Sequence, residues 1–389
     1  MSWVARMATK LHIALSDTKV LIAVNTAWNL ANFRMGLISS LQRAGYETVA
    51  AAPEDGYEEL LPCRFVNLSM DNGGTNPLRD ISLFLGFLRL IRLELPSVFL
   101  AYTVKPNIYG SIAARLLGVP VINNVAGLGA VFIRGGMLAW VVRLMYRAAL
   151  AKSAMVFFQN PDDLALFRQL RVVTHDRVGL LPGSGVDLNR FVPIASPDSK
   201  PPIATNGPIV FLMLARLLWD KGLAEYVAAA QMLRDEFGEA VEFRLAGQGD
   251  IKNPSAVSTA QVTEWVNAGN VRYFGFADDV RPLIAEVDVV VLPSYREGTP
   301  KTLLEAAAMA KPLITTNVPG CREVVIHGET GFLCEATSSE SLAAAMREIM
   351  SLTQQQRADM GSRGRAFMEA KFDQQIVHGR YLDLIRTIV

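Results

Sequence analysis

The sequence predicts two doubly wound α/β domains, each a parallel sheet with helices on both faces. Three observations lead there. Short apolar runs alternate with amphipathic stretches along almost the whole chain, as in βαβ units. The alternation breaks at 195–208 (ASPDSKPPIATNGP), which is rich in Pro, Ser and Asp and has little periodicity. The length of 389 residues suits two or three domains of about 100–200 residues each. The expected organisation is a first domain at 1–194, a linker at 195–208 and a second domain at 209–389. The terminal helices of the second domain are free to pack back on the first. Ligands of such sheets bind beyond the carboxyl ends of the strands, so two facing domains are expected to enclose a cleft.

In the first domain KVLIAV at 19–24 reads as a strand, and 32–44 follows at helical spacing. A second strand is expected at 47–51, a long helix at 77–93 and a strand at 98–101. The helix at 108–117 stops at Gly118. A strand at 120–123, a helix at 137–152, a strand at 154–158, a helix at 162–170 and a strand at 178–181 complete the domain. Beyond the linker, strands are expected at 209–214, 241–246, 271–274, 287–292 and 312–315. Helices are expected at 223–235, 254–266, 280–285, 302–310 and 339–350, and helical stretches from Gln354 finish the chain. There is no internal repeat and no low-complexity tract.

Composition narrows the class. Hydrophobic residues make up 51% and charged residues 19%, which excludes a disordered chain. Mean hydropathy is +0.24, apolar for a soluble protein. Such a chain has surface to rest against a membrane, yet no run approaches the roughly 18 apolar residues of a spanning helix. Residues 1–17 hold no apolar core of a secretory signal. The first strand starts only near Lys19, so an early start codon stays open. A net charge of +1 argues against a nucleic-acid protein. The charge is uneven: residues 1–194 carry +6 and the remainder −5, which hints that one face meets anions. Cys63, Cys321 and Cys334 form no metal or redox motif, and an odd count suits a reducing compartment.

Three stretches carry candidate chemistry. In LMLARLLWDKGL, Arg216 ends a strand, and Lys221 and Gly222 open the next helix. Two cations and a helix N-terminus then converge at one sheet edge, where Arg forks onto two phosphate oxygens and Lys adds a compact charge. Solvated loop cations are the plainer reading. Gly247-Gln248-Gly249-Asp250 follows a strand, and glycines there permit a tight turn and close ligand approach, as in many βα turns. In PSYREGTPKTLLEAAAMAKP, Glu297 sits in a strand-end loop and Glu305 about one turn into the next helix. Both can reach one ligand, while the amides of 298–303 at the helix N-terminus favour an anion. A helix-start Glu and a solvated Glu are the alternative.

Together, Arg216-x4-Lys221-Gly222, LAGQGD at 245–250 and Glu297-x7-Glu305 resemble the donor-sugar domain of GT-B glycosyltransferases of family 4. GSGVDLNRF at 183–191 and GETGFL at 328–333 extend the resemblance over nearly the whole chain. It implies a GT-B fold of two Rossmann-like domains. It also implies that Arg216 and Lys221 hold the diphosphate of a nucleotide-sugar, that Glu305 accepts from the ribose hydroxyls and that Glu297 contacts the transferred sugar. Gly247, Gly249, Gly298, Thr299, Pro300, Lys301, Thr302 and Leu303 would line the donor. No Asp-x-Asp motif is present; Asp278 and Asp279 read as a helix cap. No metal and no cofactor are therefore expected, because Arg216 and Lys221 can replace a divalent ion electrostatically.

In the first domain, 25–49 (NTAWNLANFRMGLISSLQRAGYETV) and 103–129 (TVKPNIYGSIAARLLGVPVINNVAGLG) resemble a narrower group, enzymes that extend undecaprenyl-diphosphate-linked sugars. That implies a retaining transfer of a hexose or N-acetylhexosamine, with UDP as the expected nucleotide, to a lipid-linked saccharide. The setting would be O-antigen, capsule or lipid-linked oligosaccharide assembly at the cytoplasmic face of the inner membrane. Arg34 and Lys105 are placed at the acceptor side, with a solvated residue as the alternative for each. Some members carry a His after the strand corresponding to 120–123. Here Asn123, Asn124, Ala126 and Gly127 stand there, and His12, His175, His327 and His378 fit no such position. The stretch 137–152, with Arg143 and Arg147 and preceded by Arg134, can lie on an anionic membrane or serve as a core helix with a basic edge. The alternatives to transfer are a UDP-sugar epimerase or hydrolase on the same plan, a sugar-nucleotide-binding lectin and a nicotinamide enzyme. The last fits poorly: Gly127-Leu128-Gly129 lacks its third glycine, which is Phe132.

Overall fold

The structure, a computed structural model, describes residues 18–71, 74, 76–127, 136–193, 207–249 and 253–389. His12 and the signal and start-codon readings lie outside these residues, as do most of the linker, Leu128, Gly129, Phe132, Arg134 and Asp250. The chain divides into two units, Met1–Ser184 with Gln374–Val389, and Gly185–Asp373. The division therefore falls ahead of residue 194, and the last helix belongs to the first unit rather than the second. Hydrogen bonds explain the earlier break. Val186 N donates to Phe372 O at 2.8 Å, and Arg365 Nη1 donates to Phe191 O at 2.6 Å, both within the second unit.

The first unit runs β1 (Lys19–Ala23), α1 (Ala27–Phe33), α2 (Met35–Arg43), β2 (Glu47–Ala52), β3 (Arg64–Asn67), α3 (Pro77–Glu94) and β4 (Val98–Tyr102). A π-helical turn at Pro106–Gly110 leads into α4 (Ser111–Leu116). β5 (Val121–Val125), α5 (Gly136–Leu150), β6 (Met155–Phe158), α6 (Pro161–Gln169) and β7 (Val178–Leu180) follow. The strand order is β3-β2-β1-β4-β5-β6-β7, with every neighbouring pair parallel. Side chains of β1 alternate between faces, as a pleated strand requires. Val20 and Ile22 pack with Leu37, Leu41, Val377 and Tyr381 on one face. Leu21 and Ala23 pack with Leu83, Phe87 and Leu90 on the other.

The second unit runs β8 (Ile209–Leu214), α7 (Leu223–Phe237), β9 (Val241–Ala246), α8 (Thr259–Asn267), β10 (Arg272–Tyr273), α9 (Arg281–Ala285) and β11 (Val289–Leu292). α10 (Lys301–Ala308), β12 (Leu313–Thr316), β13 (Gly331–Cys334), α11 (Ser339–Ser351) and α12 (Gln354–Lys371) complete it. Its order, β10-β9-β8-β11-β12-β13, repeats the plan of the first sheet, again all parallel. In each sheet the order reverses beside the first strand, between β1 and β4 and between β8 and β11. Those switch points are where a doubly wound sheet opens a crevice.

Several elements differ from expectation for identifiable reasons. The helix expected at 32–44 begins at Ala27, because Thr26 accepts from Asn29 N at 3.0 Å and Asp55 accepts from Trp28 N at 3.0 Å. It breaks at Arg34, whose ψ of −7° ends α1 and starts α2. The edge strands β3 and β13 had not been expected. The helix expected from 254 starts at Thr259, capped by Ser258. Asn123 and Asn124 lie inside β5 rather than at its end, both buried. Asn123 Nδ2 donates to Ser111 Oγ at 2.7 Å and to Asn107 Oδ1 at 2.9 Å, so the pair is structural.

Candidate active site

The carboxyl ends of β8 and β11, the switch-point pair, carry the predicted cation and carboxylate. After β8 the chain passes Arg216 and makes one 3-10 turn, Trp219–Lys221. Gly222 follows with φ +78°, and a Cβ there would stand 2.1 Å from Pro293 O. Only glycine lets this turn press against the β11 exit. Tyr295 N then donates to Asp220 O at 2.9 Å, stitching the two loops together. Lys221 Nζ consequently reaches Glu297 Oε1 at 2.5 Å, with both side chains largely buried.

Glu297 is held from three sides. Ser294 Oγ donates to Oε1 at 2.8 Å, and Glu297 N donates to Pro319 O at 3.1 Å. Gly320, at φ +87°, is the second required glycine: a Cβ would sit 2.3 Å from Glu297 O. Thr316 Oγ1 fixes Ser294 O from below at 2.5 Å. Ser294 is fully buried, and sequence reasoning missed it. Its only signal was a hydroxyl two residues past a buried apolar strand. Cys321 lies nearby, its thiol pushed up to about 12, first by burial and then by Glu297, so it stays an unreactive thiol.

The loop Gly298–Pro300 leads into α10, which starts at Lys301 with no side-chain cap on its first amides. A helix N-terminus carries partial positive charge, which favours an anion placed beside it. Leu303 N–H bonds to Pro300 O at 3.1 Å. Glu305 is buried, and Lys301 Nζ lies 3.4 Å from its Oε1. Burial raises the Glu305 carboxyl above its ordinary range, while Lys301 and then Arg190 pull it down and Asp279 opposes them. Asp279 lies just ahead of Val280, the N-cap of α9; it accepts from Arg281 N at 3.0 Å, and the Arg281 guanidinium holds it below its usual range.

Arg216 is exposed at the same edge with no side-chain partner among the described residues. Gly247 packs against the β8 exit, since a Cβ would stand 1.7 Å from Ala215 O. Gly249 lines a cleft of about 300 Å³ with Leu217, Gln248, Val262, Tyr273 and Phe276, beyond the ends of β8, β9 and β10. Arg216, Lys221, Glu297, the 298–303 amides, Glu305 and the two glycines are thus grouped on one edge of one sheet.

The first unit is different. Arg34 is buried, its guanidinium 3.9 Å from the centroid of the Tyr102 ring, and Nε has no partner. Lys105 is committed elsewhere: Nζ is 2.6 Å from Asp80 Oδ1, and Tyr109 OH donates to Asp80 Oδ2 at 2.9 Å. His175 bonds Leu150 O, His327 Nδ1 accepts from Leu333 N, and His378 Nδ1 lies 3.0 Å from Ser40 Oγ. The three described histidines therefore hold structure.

Two parallel doubly wound units, with Arg216, Lys221, Glu297 and Glu305 at the second switch point, fit the plan of a GT-B glycosyltransferase. Comparisons agree. A family model for glycosyl transferases group 1 matches residues 208–351, and one for a glycosyl transferase 4-like domain matches residues 30–183. The chain belongs to this glycosyltransferase family. One relative is the N,N'-diacetylbacillosaminyl-diphospho-undecaprenol alpha-1,3-N-acetylgalactosaminyltransferase of Campylobacter jejuni, 27% identical over 93% of this chain and 96% of that protein. Another is the UDP-Gal:alpha-D-GlcNAc-diphosphoundecaprenol alpha-1,3-galactosyltransferase of Escherichia coli, 26% identical over 81% of this chain and 86% of that one. Among solved structures, sucrose-phosphate synthase from Thermosynechococcus elongatus superposes with a TM-score of 0.78 at 18% identity, covering 95% of this chain and 99% of that one. At that identity the likeness concerns the fold.

Proposed function

We propose that this enzyme is a retaining glycosyltransferase that moves a hexose or N-acetylhexosamine from a UDP-sugar to a saccharide carried on a prenyl diphosphate. The work belongs to bacterial surface or lipid-linked glycan assembly, at the cytoplasmic face of the inner membrane. The carrying observation is the Lys221–Glu297 contact beside the N-terminus of α10 and the exposed Arg216, which has no side-chain partner among the described residues. The names of both relatives support the acceptor class, and one names a UDP donor. Both names give alpha linkages, which a retaining enzyme makes from an α-configured donor.

In this reading the diphosphate lies against Arg216, Lys221 and the first amides of α10. The cleft at Gly249 takes the base, and Glu305 accepts from the ribose hydroxyls. Glu297, fixed by Lys221 and Ser294, accepts from hydroxyls of the departing sugar. Charge grows on the bridging oxygen as the anomeric C–O bond breaks. Fixed donors aimed at that charge are worth about 3 kcal/mol each. The acceptor hydroxyl attacks from the same face and gives its proton to the leaving phosphate oxygen. The reading needs neither a protein nucleophile nor a metal ion, because the two cations supply the positive charge.

The test is nucleotide release from a panel of UDP-, GDP- and dTDP-sugars, with and without a prenyl-diphosphate saccharide. UDP release that requires the acceptor is expected, and Lys221→Ala should cut it by about 10²–10³ with the fold intact. Free sugar formed without acceptor would favour a hydrolase, and unchanged turnover in the variant would remove Lys221 from the chemistry.

A further inference from the structure

Two helices of the first unit leave apolar stripes bare. On α3, Leu78, Ile81 and Leu85 are exposed at spacings of three and four, Leu78 at 77%. On α5, Met137, Leu138, Trp140, Val141 and Leu144 are exposed, Met137 at 83% and Trp140 at 60%. Each helix already has a buried stripe of its own. Leu83, Phe87 and Leu90 seat α3, while Ala139, Tyr146 and Leu150 seat α5. The outward residues are therefore a second apolar face rather than misplaced core.

The two helices are flanks of one layer. α3 and α5 both pack on the segment Pro106–Leu116 between them, and Arg115 Nη1 donates to Ala148 O of α5 at 2.6 Å. Topology sets their direction. Each runs back against parallel strands, so its N-terminal half lies at the carboxyl edge of the sheet. Most of the exposed apolar residues occupy those N-terminal halves, with Leu144 just past the middle of α5 and Leu93 in the last turn of α3, and the exposed cations Arg89, Arg92 and Arg147 lie further along. These three have no carboxylate partner among the described residues. α5 contains no acidic residue at all. The two on α3 are engaged: Asp80 holds Lys105 and Tyr109, and buried Glu94 holds Lys19 and Arg64.

We infer that α3 and α5 together form a bilayer-docking face, with their apolar N-terminal halves inserted at the interface and Arg89, Arg92 and Arg147 set against anionic headgroups. Charge selects the occupant. A face with bare leucines and a tryptophan, unpaired arginines and no free carboxylate matches an anionic lipid surface. No helix among the described residues is long and apolar enough to cross a membrane, so the contact is peripheral. The inserted halves share the carboxyl edge with the switch point of β1 and β4. Docking thus brings that edge to the depth of a lipid-borne diphosphate. The purpose, though not the geometry, rests on the lipid-linked acceptor proposed above.

The full-length protein is sedimented with vesicles of phosphatidylethanolamine and phosphatidylglycerol, and with vesicles of phosphatidylcholine alone. Binding to the first, weakened by salt, and little to the second are expected. Trp140→Glu with Leu144→Glu, and separately Ile81→Glu with Leu85→Glu, should each weaken binding at least about tenfold. Both variants should keep the wild-type melting temperature and their turnover on a water-soluble short-chain acceptor, and lose turnover on acceptor embedded in vesicles. Either double variant binding like the wild type would overturn the inference. So would a wild type that ignores anionic vesicles, or light scattering showing that the substitutions split a dimer. Vesicle binding without any glycosyl transfer would instead sink the proposed activity and leave the docking face standing.

Discussion

The two sheets share one strand plan, and their switch points hold opposite chemistry. Beyond β8 and β11 the cation Lys221 touches a carboxylate, Arg216 is exposed and the N-terminus of α10 follows. Beyond β1 and β4 the cation Arg34 is buried over the Tyr102 ring, and buried asparagines satisfy one another. The same frame thus carries an ion pair and an exposed cation at one switch point, and a buried cation beside hydrogen-bonded asparagines at the other. Topology says where a ligand binds, and only the side chains at that place say which kind.

Four substitutions can break or sharpen this contrast. Lys221→Ala, described above, has the largest expected effect. Gly320→Ala should follow, because its Cβ would collide with Glu297 O and shift the carboxylate. A loss of about 10- to 100-fold in nucleotide release, at near-wild-type donor binding, is expected. Wild-type kinetics would show that the position of Glu297 is not critical.

Glu305→Gln should weaken UDP binding by about tenfold, as expected for a lost hydrogen bond to a charged group, measured by calorimetry. Its stability effect runs the other way. Burial raises the Glu305 carboxyl in the folded state, so folding favours the protonated form. The stability this group contributes is full below the ordinary carboxylate range and is lost as pH rises through the raised value. The variant should therefore melt at or above the wild type near neutral pH, with the advantage vanishing in acid. A variant that melts lower at every pH would contradict the burial argument.

Lys105→Met is the smallest and tests the first sheet. It leaves Asp80 without its cation, which should cost about 2 kcal/mol by thermal melting, between the values for exposed and fully buried pairs. Turnover should change less than about threefold. A large loss of turnover at unchanged stability would return Lys105 to the acceptor site.

Much of the frame was legible because the central strands are fully buried. Ile209–Leu214 reads off a continuous apolar run, and Val241–Ala246 off apolar residues alternating with the half-buried Glu242 and Arg244. β3 was not legible: Arg64–Asn67 is an edge strand, half exposed, with only two apolar residues. β13 is four residues long and starts on a glycine. In the site, residue types and spacings pointed to Lys221 and Glu297 separately. Their contact joins residues 76 apart, which only the β8–β11 pairing creates. The engagement of Lys105 by Asp80, the burial of Arg34 and the bare outer face of α3 were equally out of reach. Each depends on which neighbour a side chain meets across the layer.

The helix Gln374–Ile388 has one further consequence. It seats Val377, Tyr381 and Ile385 in the first unit, and Tyr381 OH accepts from Asn124 Nδ2 at 3.1 Å. On the ribosome that helix emerges only after all of Gly185–Asp373 has been made. The half synthesised first is thus the half completed last, and a nascent chain stalled before residue 374 would carry a finished second unit beside a first unit with one face still open.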